Sequence, residues 1–82
     1  MDPAVAFGRV LRRLRREAGY TQEELGLEAD LRRTFVSVLE LGQQQPTLTT
    51  ILKLAHALNC SAQKLIGVVE EELKKPRSGR SN

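Results

Sequence analysis

Cysteine, histidine and aromatic residues are scarce in this sequence, and each scarcity excludes a class of protein. The chain has one cysteine, Cys60, and one histidine, His56, so it forms no internal disulfide and cannot build a zinc site. Its three aromatic residues, Phe7, Tyr20 and Phe35, are too few for a platform on which single-stranded bases stack. The sequence therefore predicts no metal and no cofactor.

Long apolar runs are also missing, which excludes a membrane-spanning helix. No stretch approaches the ~18 consecutive apolar residues of a span, and the first ten residues lack the pattern of a secretory signal peptide. A length of 82 residues, 40% of them hydrophobic, suits one small folded domain. We expect a soluble, cytoplasmic domain over residues 1–75 and, because the last residues are polar and rich in Pro, Gly and Ser, a disordered tail over 76–82.

Charge alternates along the chain instead of collecting in one basic tail. The formal net charge is +3; residues 1–20 hold five arginines against two acids, and residues 21–31 hold four acids and no base. A mild positive excess suits a polyanionic partner, and an ordinary solvated surface explains it equally well. The charge alone does not identify the partner.

Five helices and no strand are predicted, because apolar residues recur at helical spacing and nowhere alternate. The predicted helices run over residues 3–18, 21–29, 32–41, 48–58 and 61–75. Local signals mark their ends: Asp2 is a plausible N-cap, Thr21 and Glu24 form a capping box, and Gly19 and Asn59 suit the left-handed residue after a helix.

The apolar positions of the last two helices predict which faces they bury. In the fourth helix we expect an inward face, and in the fifth a longer apolar stripe, at these positions: Ile51, Leu52, Ala55 and Leu58, then Ala62, Leu65, Ile66, Val69 and Leu73. Gly26, inside the second helix, makes sense if another helix crosses close to it.

No arrangement of residues supports catalysis. His56 is expected on the solvated side of the fourth helix, and Cys60 is typical of a small buried hydrophobic residue. The sequence has no glycine-rich phosphate loop. We therefore predict that the chain is not an enzyme.

Two short helices joined by a tight turn are the strongest signal. Asp30 and Leu31 separate the second helix from the third, as in a helix-turn-helix, whose second helix enters the major groove of DNA. Residues 7–67 resemble the lambda-type phage repressor and Cro family of helix-turn-helix regulators, the XRE type, which implies an all-α, five-helix, lambda-repressor-like domain. The matching positions are Thr21, Gln22, Leu25, Val36, Leu39, Glu40, Gly42, Pro46, Leu52, Leu54, Ala55, Ala57 and Leu58.

The resemblance implies which residues contact double-stranded DNA. Base contacts in the family come from the outward face of the third helix, where this chain has Arg33, Thr34, Ser37 and Val38. Arg33 suits a bidentate contact with guanine. Phosphate contacts are implied for Thr21, Gln22, Arg32, Gln43, Gln44 and Thr47.

Three positions depart from the family's pattern. Asp30 replaces the usual turn glycine, and because aspartate tolerates the left-handed conformation, we expect the turn to survive. Val38 and Leu41 stand where polar residues are common, and Val38 either contacts a thymine methyl group or is simply tolerated.

The resemblance also pairs Arg15 of the first helix with Glu40 of the third, which predicts a partly buried ion pair.

The fifth helix carries more apolar surface than one small domain covers. Ile66, Val68, Val69 and Leu73 extend beyond the part of the helix that closes the core, and such surface marks an interface. A second copy would cover it and align two third helices with a palindromic operator. We therefore predict a homodimeric, sequence-specific regulator of transcription. The alternative is an antitoxin that binds a toxin protein and regulates its own gene.

Overall fold

Five α-helices and no strand make up residues 1–75, the part of the chain that the computed structural model describes. The helices are α1 (Pro3–Glu17), α2 (Gln22–Ala29), α3 (Arg33–Glu40), α4 (Leu48–Ala57) and α5 (Ala62–Lys74). The predicted all-α class is confirmed, whereas the predicted tail at 76–82 lies outside the described residues. None of these five helices is long and apolar enough to cross a membrane.

Capping contacts at the predicted positions set most helix ends. The Thr21 hydroxyl accepts from the Glu24 amide at 3.0 Å, and the Glu24 carboxylate accepts from the Thr21 amide at 2.9 Å, which is the predicted capping box. The Ser61 hydroxyl likewise accepts from the Lys64 amide at 3.0 Å at the start of α5. Asn59 adopts φ 60° after α4, so the predicted left-handed stop is also confirmed.

Two helices begin without a side-chain cap. Asp2 stands at the N-cap of α1 but its carboxylate accepts no hydrogen bond, so its predicted capping role is wrong. Pro3 at the first position of α1 has no N–H to satisfy, and the Ala6 amide donates to the Asp2 carbonyl at 3.0 Å. Arg32 at the N-cap of α3 also makes no cap hydrogen bond, because its side chain has no acceptor.

The core takes one fully buried leucine from each helix. These leucines are Leu11, Leu25, Leu39, Leu54 and Leu65. α1 packs against α3 and α5, α2 packs against α3 and α4, and α4 packs against α5. Burying each leucine contributes about 1.5–3 kcal/mol, so the arrangement of all five helices is fixed by the same shared core.

The predicted inward face of α4 is partly wrong. Leu52 is 52% exposed, whereas Leu54 is fully buried. Ile51 and Leu58 are half-buried against the core and Ala55 is buried. α4 is therefore rotated so that Leu54 points inward and Leu52 remains in solvent.

The turn between α2 and α3 is tight because Gly26 has no side chain. The Leu31 amide donates to the Gly26 carbonyl at 2.8 Å, and Asp30 adopts the left-handed conformation with φ 58°, as predicted. A Cβ atom on Gly26 would lie 2.6 Å from the Leu31 carbonyl oxygen. The predicted close approach is confirmed, but the neighbour is the turn backbone before α3 and not the side of a crossing helix.

Candidate nucleic-acid interface

The outward face of α3 carries the four residues expected to contact bases. Arg33 and Thr34 are exposed, and Ser37 and Val38 are half-buried. The opposite face of the helix is buried in the core. Leu41, just after α3, is 63% exposed. It lies at helical spacing from Thr34, Ser37 and Val38, so it shares their side of the helix. It extends this face, although it was not among the predicted base contacts.

Gln22 begins α2, and its side chain is held in place. The Gln22 Nε2 donates to the Glu40 Oε1 at 3.0 Å. Glu23 and Glu24 put two carboxylates in the first turn of α2, where they neutralise the positive end of the helix dipole. The Gln22 side chain, more than the helix dipole, is therefore the feature of this helix end that suits a phosphate.

Glu40 also forms the predicted ion pair with Arg15. The Arg15 Nε donates to the Glu40 Oε2 at 2.6 Å, and the Arg15 Nη2 donates to the Glu40 Oε1 at 3.1 Å. The third donor, Arg15 Nη1, reaches the Tyr20 carbonyl at 2.8 Å. The two charged side chains are only 10% and 4% exposed, so the expected burial is confirmed. The hydrogen bond with Glu40 is the main cause that raises the pKa of Arg15, and its attraction to that carboxylate adds to the rise while burial opposes it.

The hydrogen bond from Gln22 to the carboxylate of this ion pair was not predicted. Gln22 and Glu40 are 18 positions apart in the chain, and no local pattern indicates that the start of α2 meets the end of α3. The sequence analysis assigned Gln22 to a predicted phosphate contact and Arg15 to a structural ion pair. In the structure, the Glu40 carboxylate accepts hydrogen bonds from both side chains.

The remaining predicted phosphate contacts differ in how free their side chains are. Gln43 and Gln44, in the loop after α3, are exposed, as is Arg32. The Thr47 hydroxyl accepts from the Thr50 amide and donates to the Thr50 hydroxyl, both at 3.1 Å. Thr47 is therefore engaged in capping α4, and a phosphate would compete with Thr50 for its hydroxyl group.

Among the described residues, no cluster of His, Cys, Asp and Glu could hold a metal ion.

The four predicted interface residues of α5 do not share one exposed face. Ile66 and Leu73 are each 37% exposed and lie on the same side of the helix. Val69 is only 7% exposed and belongs to the core, so the prediction that it lies uncovered is wrong. Val68 lies about 200° round the helix from Ile66 and lines a different cavity, beside Cys60.

α4 supplies apolar surface that the sequence did not predict. Leu48 is 71% exposed and Leu52 is 52% exposed, one helical turn apart. Ile51, between them, lines with Ile66 an open groove of about 150 Å³. We call Leu48, Ile51, Leu52 and Ile66 the α4–α5 surface. Its residues come from two helices that meet at the groove of Ile51 and Ile66, whereas the prediction placed all of the uncovered apolar residues on α5.

Known proteins resemble this chain over most of its length. Residues 11–65 match the helix-turn-helix family. An HTH-type transcriptional regulator of Sinorhizobium fredii, y4dJ, is 38% identical over 71 residues, which are 87% of this chain and 92% of that protein. The control protein C.MunI of Mycoplasma sp is 31% identical over 72 residues, covering 87% and 97% of the two chains.

A solved structure extends the comparison to the backbone. The restriction-modification controller protein C.AhdI of Aeromonas hydrophila superposes with a TM-score of 0.73 and is 42% identical, covering 76% of this chain and 94% of that one. The family match over residues 11–65 includes α2, α3 and the turn between them, which carry the candidate interface.

Proposed function

The chain belongs to the XRE type of helix-turn-helix transcriptional regulators, and from that premise we propose that it binds a palindromic double-stranded operator as a homodimer. The outward face of α3 is the observation that carries the proposal: Arg33 and Thr34 are exposed, while the other face is anchored in the core. A helix held in this way enters the major groove without reorganising. This role is binding, so it assigns no residue to catalysis.

Sequence preference in this proposal comes from both polar and apolar residues of α3. Arg33 donates to the O6 and N7 atoms of guanine, a contact that discriminates between bases by about 1–3 kcal/mol. Thr34 and Ser37 contribute hydroxyl groups. Val38 and Leu41 add apolar surface that suits the methyl group of thymine. The preferred half-site then contains guanine and thymine at neighbouring positions.

Backbone contacts come from the residues around α3. Arg32 supplies positive charge, and the side-chain amides of Gln22, Gln43 and Gln44 supply neutral donors. The Thr21 and Thr47 hydroxyls are occupied in capping α2 and α4 and contribute less. Because few of these groups are charged, we expect the affinity to fall less steeply with salt than it does for strongly basic regulators.

The α4–α5 surface supports the homodimer. Leu48, Leu52 and Ile66 are exposed apolar residues, and exposed apolar surface of this kind favours burial against a partner. One third helix contacts too few bases to define a site, whereas a two-fold pair spans two successive major grooves about 34 Å apart. A second copy of this chain would therefore bury the apolar surface and supply the second α3 that a palindromic operator requires.

The regulatory context is proposed from the similar proteins. C.MunI is named a control protein, and C.AhdI a restriction-modification controller protein. We extend this role to the present chain, as a cytoplasmic controller of restriction-modification genes. The names of these relatives favour a controller over the antitoxin alternative.

The proposal is tested by selecting bound sites from a random pool of DNA duplexes. The wild type is expected to enrich a palindrome whose half-sites are centred about one helical turn apart. Enrichment of no sequence, or of a single half-site without a symmetric partner, would contradict the proposal.

Arg33→Ala is the informative variant in this selection. It is expected to relax preference at one base pair in each half-site while leaving the spacing unchanged. Arg12→Ala is the matched control, because it removes the same charge from an exposed position on α1. If both variants lower affinity for all sequences alike, Arg33 does not contact a base.

A further inference from the structure

We infer that Glu40 is a positioning residue for DNA binding, which acts by holding the Gln22 amide where it donates to a phosphate. This inference rests on the proposed phosphate contact of Gln22. The observation behind it is that Gln22 Nε2 donates to Glu40 Oε1 at 3.0 Å, across the junction between the start of α2 and the end of α3.

The contact with Glu40 fixes which end of the Gln22 amide is its nitrogen. A carboxylate only accepts hydrogen bonds, so the group that faces Glu40 must be the NH₂ group and not the oxygen. One N–H of Gln22 is then used by Glu40, and the second remains for another acceptor. A phosphate approaching this nitrogen meets a donor, whereas a reversed amide would present an oxygen that repels it.

The same contact orders Gln22 before DNA arrives. A free glutamine side chain has several rotatable bonds, and ordering it on binding opposes association. Gln22 is half-buried, and its amide is tied to a carboxylate whose side chain is 4% exposed. Most of this ordering is therefore already present in the unbound protein.

Arg15 makes this arrangement compatible with a nearby phosphate. A lone carboxylate beside the contact would repel DNA, but Glu40 accepts from Arg15 at 2.6 and 3.1 Å. Arg15 is itself held by the Tyr20 carbonyl at 2.8 Å, just before α2. The charge of Glu40 is thus balanced within the protein, and one carboxylate links the ends of α1, α2 and α3 at the interface.

Positioning and simple electrostatics predict opposite effects for Glu40→Gln. Removing a negative charge from a DNA-binding protein raises its affinity if only net charge matters. If Glu40 positions Gln22, the same substitution lowers the affinity, because the neutral amide is a weaker acceptor for the Gln22 N–H and holds that side chain less firmly. The sign of the change therefore separates the two explanations.

The test is a double-mutant cycle of Gln22→Met and Glu40→Gln, with binding measured on a mixed-sequence duplex at low salt. Methionine keeps the length of Gln22 and removes its donor. We expect each single variant to raise the dissociation constant about threefold to tenfold, and Glu40→Gln to add no further loss in the Gln22→Met background. Glu71→Gln, which removes an exposed carboxylate from α5, is the control and is expected to leave affinity unchanged or slightly raised.

Each outcome of the cycle bears on a different part of the argument. Equal losses from Glu40→Gln in both backgrounds, or a gain in affinity, would overturn the positioning role and leave the proposed function standing. An unchanged affinity for Gln22→Met would overturn the phosphate contact and the inference together. A wild type that binds no duplex would overturn the proposed function itself.

Stability is controlled separately. All proteins are compared at a temperature at which circular dichroism gives full helix content. If Glu40→Gln does not fold, Glu40→Asp replaces it, because aspartate keeps the charge opposite Arg15 and withdraws the carboxylate from Gln22 by one methylene. The same dependence on Gln22 is then expected, and its absence would overturn the inference.

Discussion

At the scale of single residues, the Arg15–Glu40 ion pair is the contact whose loss the fold tolerates least. Both side chains are almost fully covered, and every donor atom of the guanidinium has an acceptor among Glu40 and the Tyr20 carbonyl. Removing either partner leaves the other charge buried without compensation, and that cost exceeds the net contribution of the intact pair.

Arg15→Ala and Glu40→Ala are each expected to lower the free energy of unfolding by about 3–5 kcal/mol. Glu71→Ala is the control. The Glu71 Oε2 lies 3.9 Å from the Lys74 Nζ, and the two side chains are 76% and 75% exposed. Losing such an exposed pair costs ~0–1 kcal/mol. Urea unfolding followed by circular dichroism measures all three. Equal effects at Glu40 and Glu71 would mean that burial of the pair contributes nothing.

The sequence predicted these residues unevenly. The Arg15–Glu40 pair could be predicted because the resemblance to the family implies it. The contact of Gln22 with Glu40 could not, because it depends on the angle between α2 and α3. That angle is set by Gly26 and by the leucines of the shared core, and no local pattern encodes it.

At the scale of elements, the α2–α3 turn tolerates no side chain at Gly26. A Cβ atom there would lie 2.6 Å from the Leu31 carbonyl and 3.5 Å from the Arg33 amide nitrogen, so α3 must shift. We expect Gly26→Ala to destabilise the protein by about 1–3 kcal/mol and to weaken DNA binding. Gly67→Ala is the control: α5 has open space there, and alanine is expected to stabilise it by about 0.5–1 kcal/mol. Thermal melting that moves both variants the same way would contradict this assignment.

A buried carboxylate, that of Glu72, joins the C-terminal half of α5 to α1 through an ion pair. Glu72 is 6% exposed, and its Oε1 lies 3.4 Å from Arg13 Nη1 of α1 and 3.2 Å from the Lys75 Nζ. The hydrogen bond from Lys75 is the main cause that lowers the pKa of Glu72 below its usual 4.5, and Arg13 adds to it, while burial opposes both. An acidic residue at this position of an apolar stripe was not predicted as part of the core.

This lowered pKa predicts acid-sensitive stability. Because the unfolded chain takes up the proton at a higher pH than the folded one, the contribution of Glu72 is present above the usual carboxyl pKa and is lost as pH falls below it. We expect Glu72→Gln to be less stable than the wild type near neutral pH and to lose less stability between about pH 5 and pH 3. Unfolding midpoints across that range measure the difference, with Glu71→Gln as the exposed control. Parallel pH profiles for wild type and Glu72→Gln would contradict the role of Glu72.

Helix ends were easier to predict than helix faces. Capping residues such as Thr21 and Ser61 act on amides three positions away, so the sequence contains the whole signal. α4 lacks such a local signal for its orientation: residues 51, 52, 54 and 55 are all apolar, and more than one inward face satisfies helical spacing. Packing against α2 and α5 selects Leu54, which leaves Leu48 and Leu52 outside.

At the scale of the whole molecule, the orientation of α4 determines what the protein can assemble with. The rotation that buries Leu54 exposes Leu48 and Leu52 beside the groove that Ile51 and Ile66 line. The four residues of this α4–α5 surface lie on helices other than α3, so the proposed dimer contact and the proposed base contacts use different helices. In the proposed homodimer, a two-fold axis through this surface fixes the distance between the two α3 helices.

The dimer is tested by placing a charge on the α4–α5 surface. Leu52→Asp and Ile66→Asp are expected to be monomeric by sedimentation at micromolar concentration, where we expect the wild type to be dimeric, because burying an unpaired carboxylate opposes association. Leu27→Asp is the matched control: Leu27 is 77% exposed on α2, outside the surface, and its substitution should leave the dimer intact. The two monomeric variants should also bind a palindromic duplex no more tightly than a single half-site, since the second α3 is no longer held in register. A wild type that remains monomeric would contradict the homodimer, and surface variants that dimerise as well as Leu27→Asp would place the contact elsewhere on the molecule.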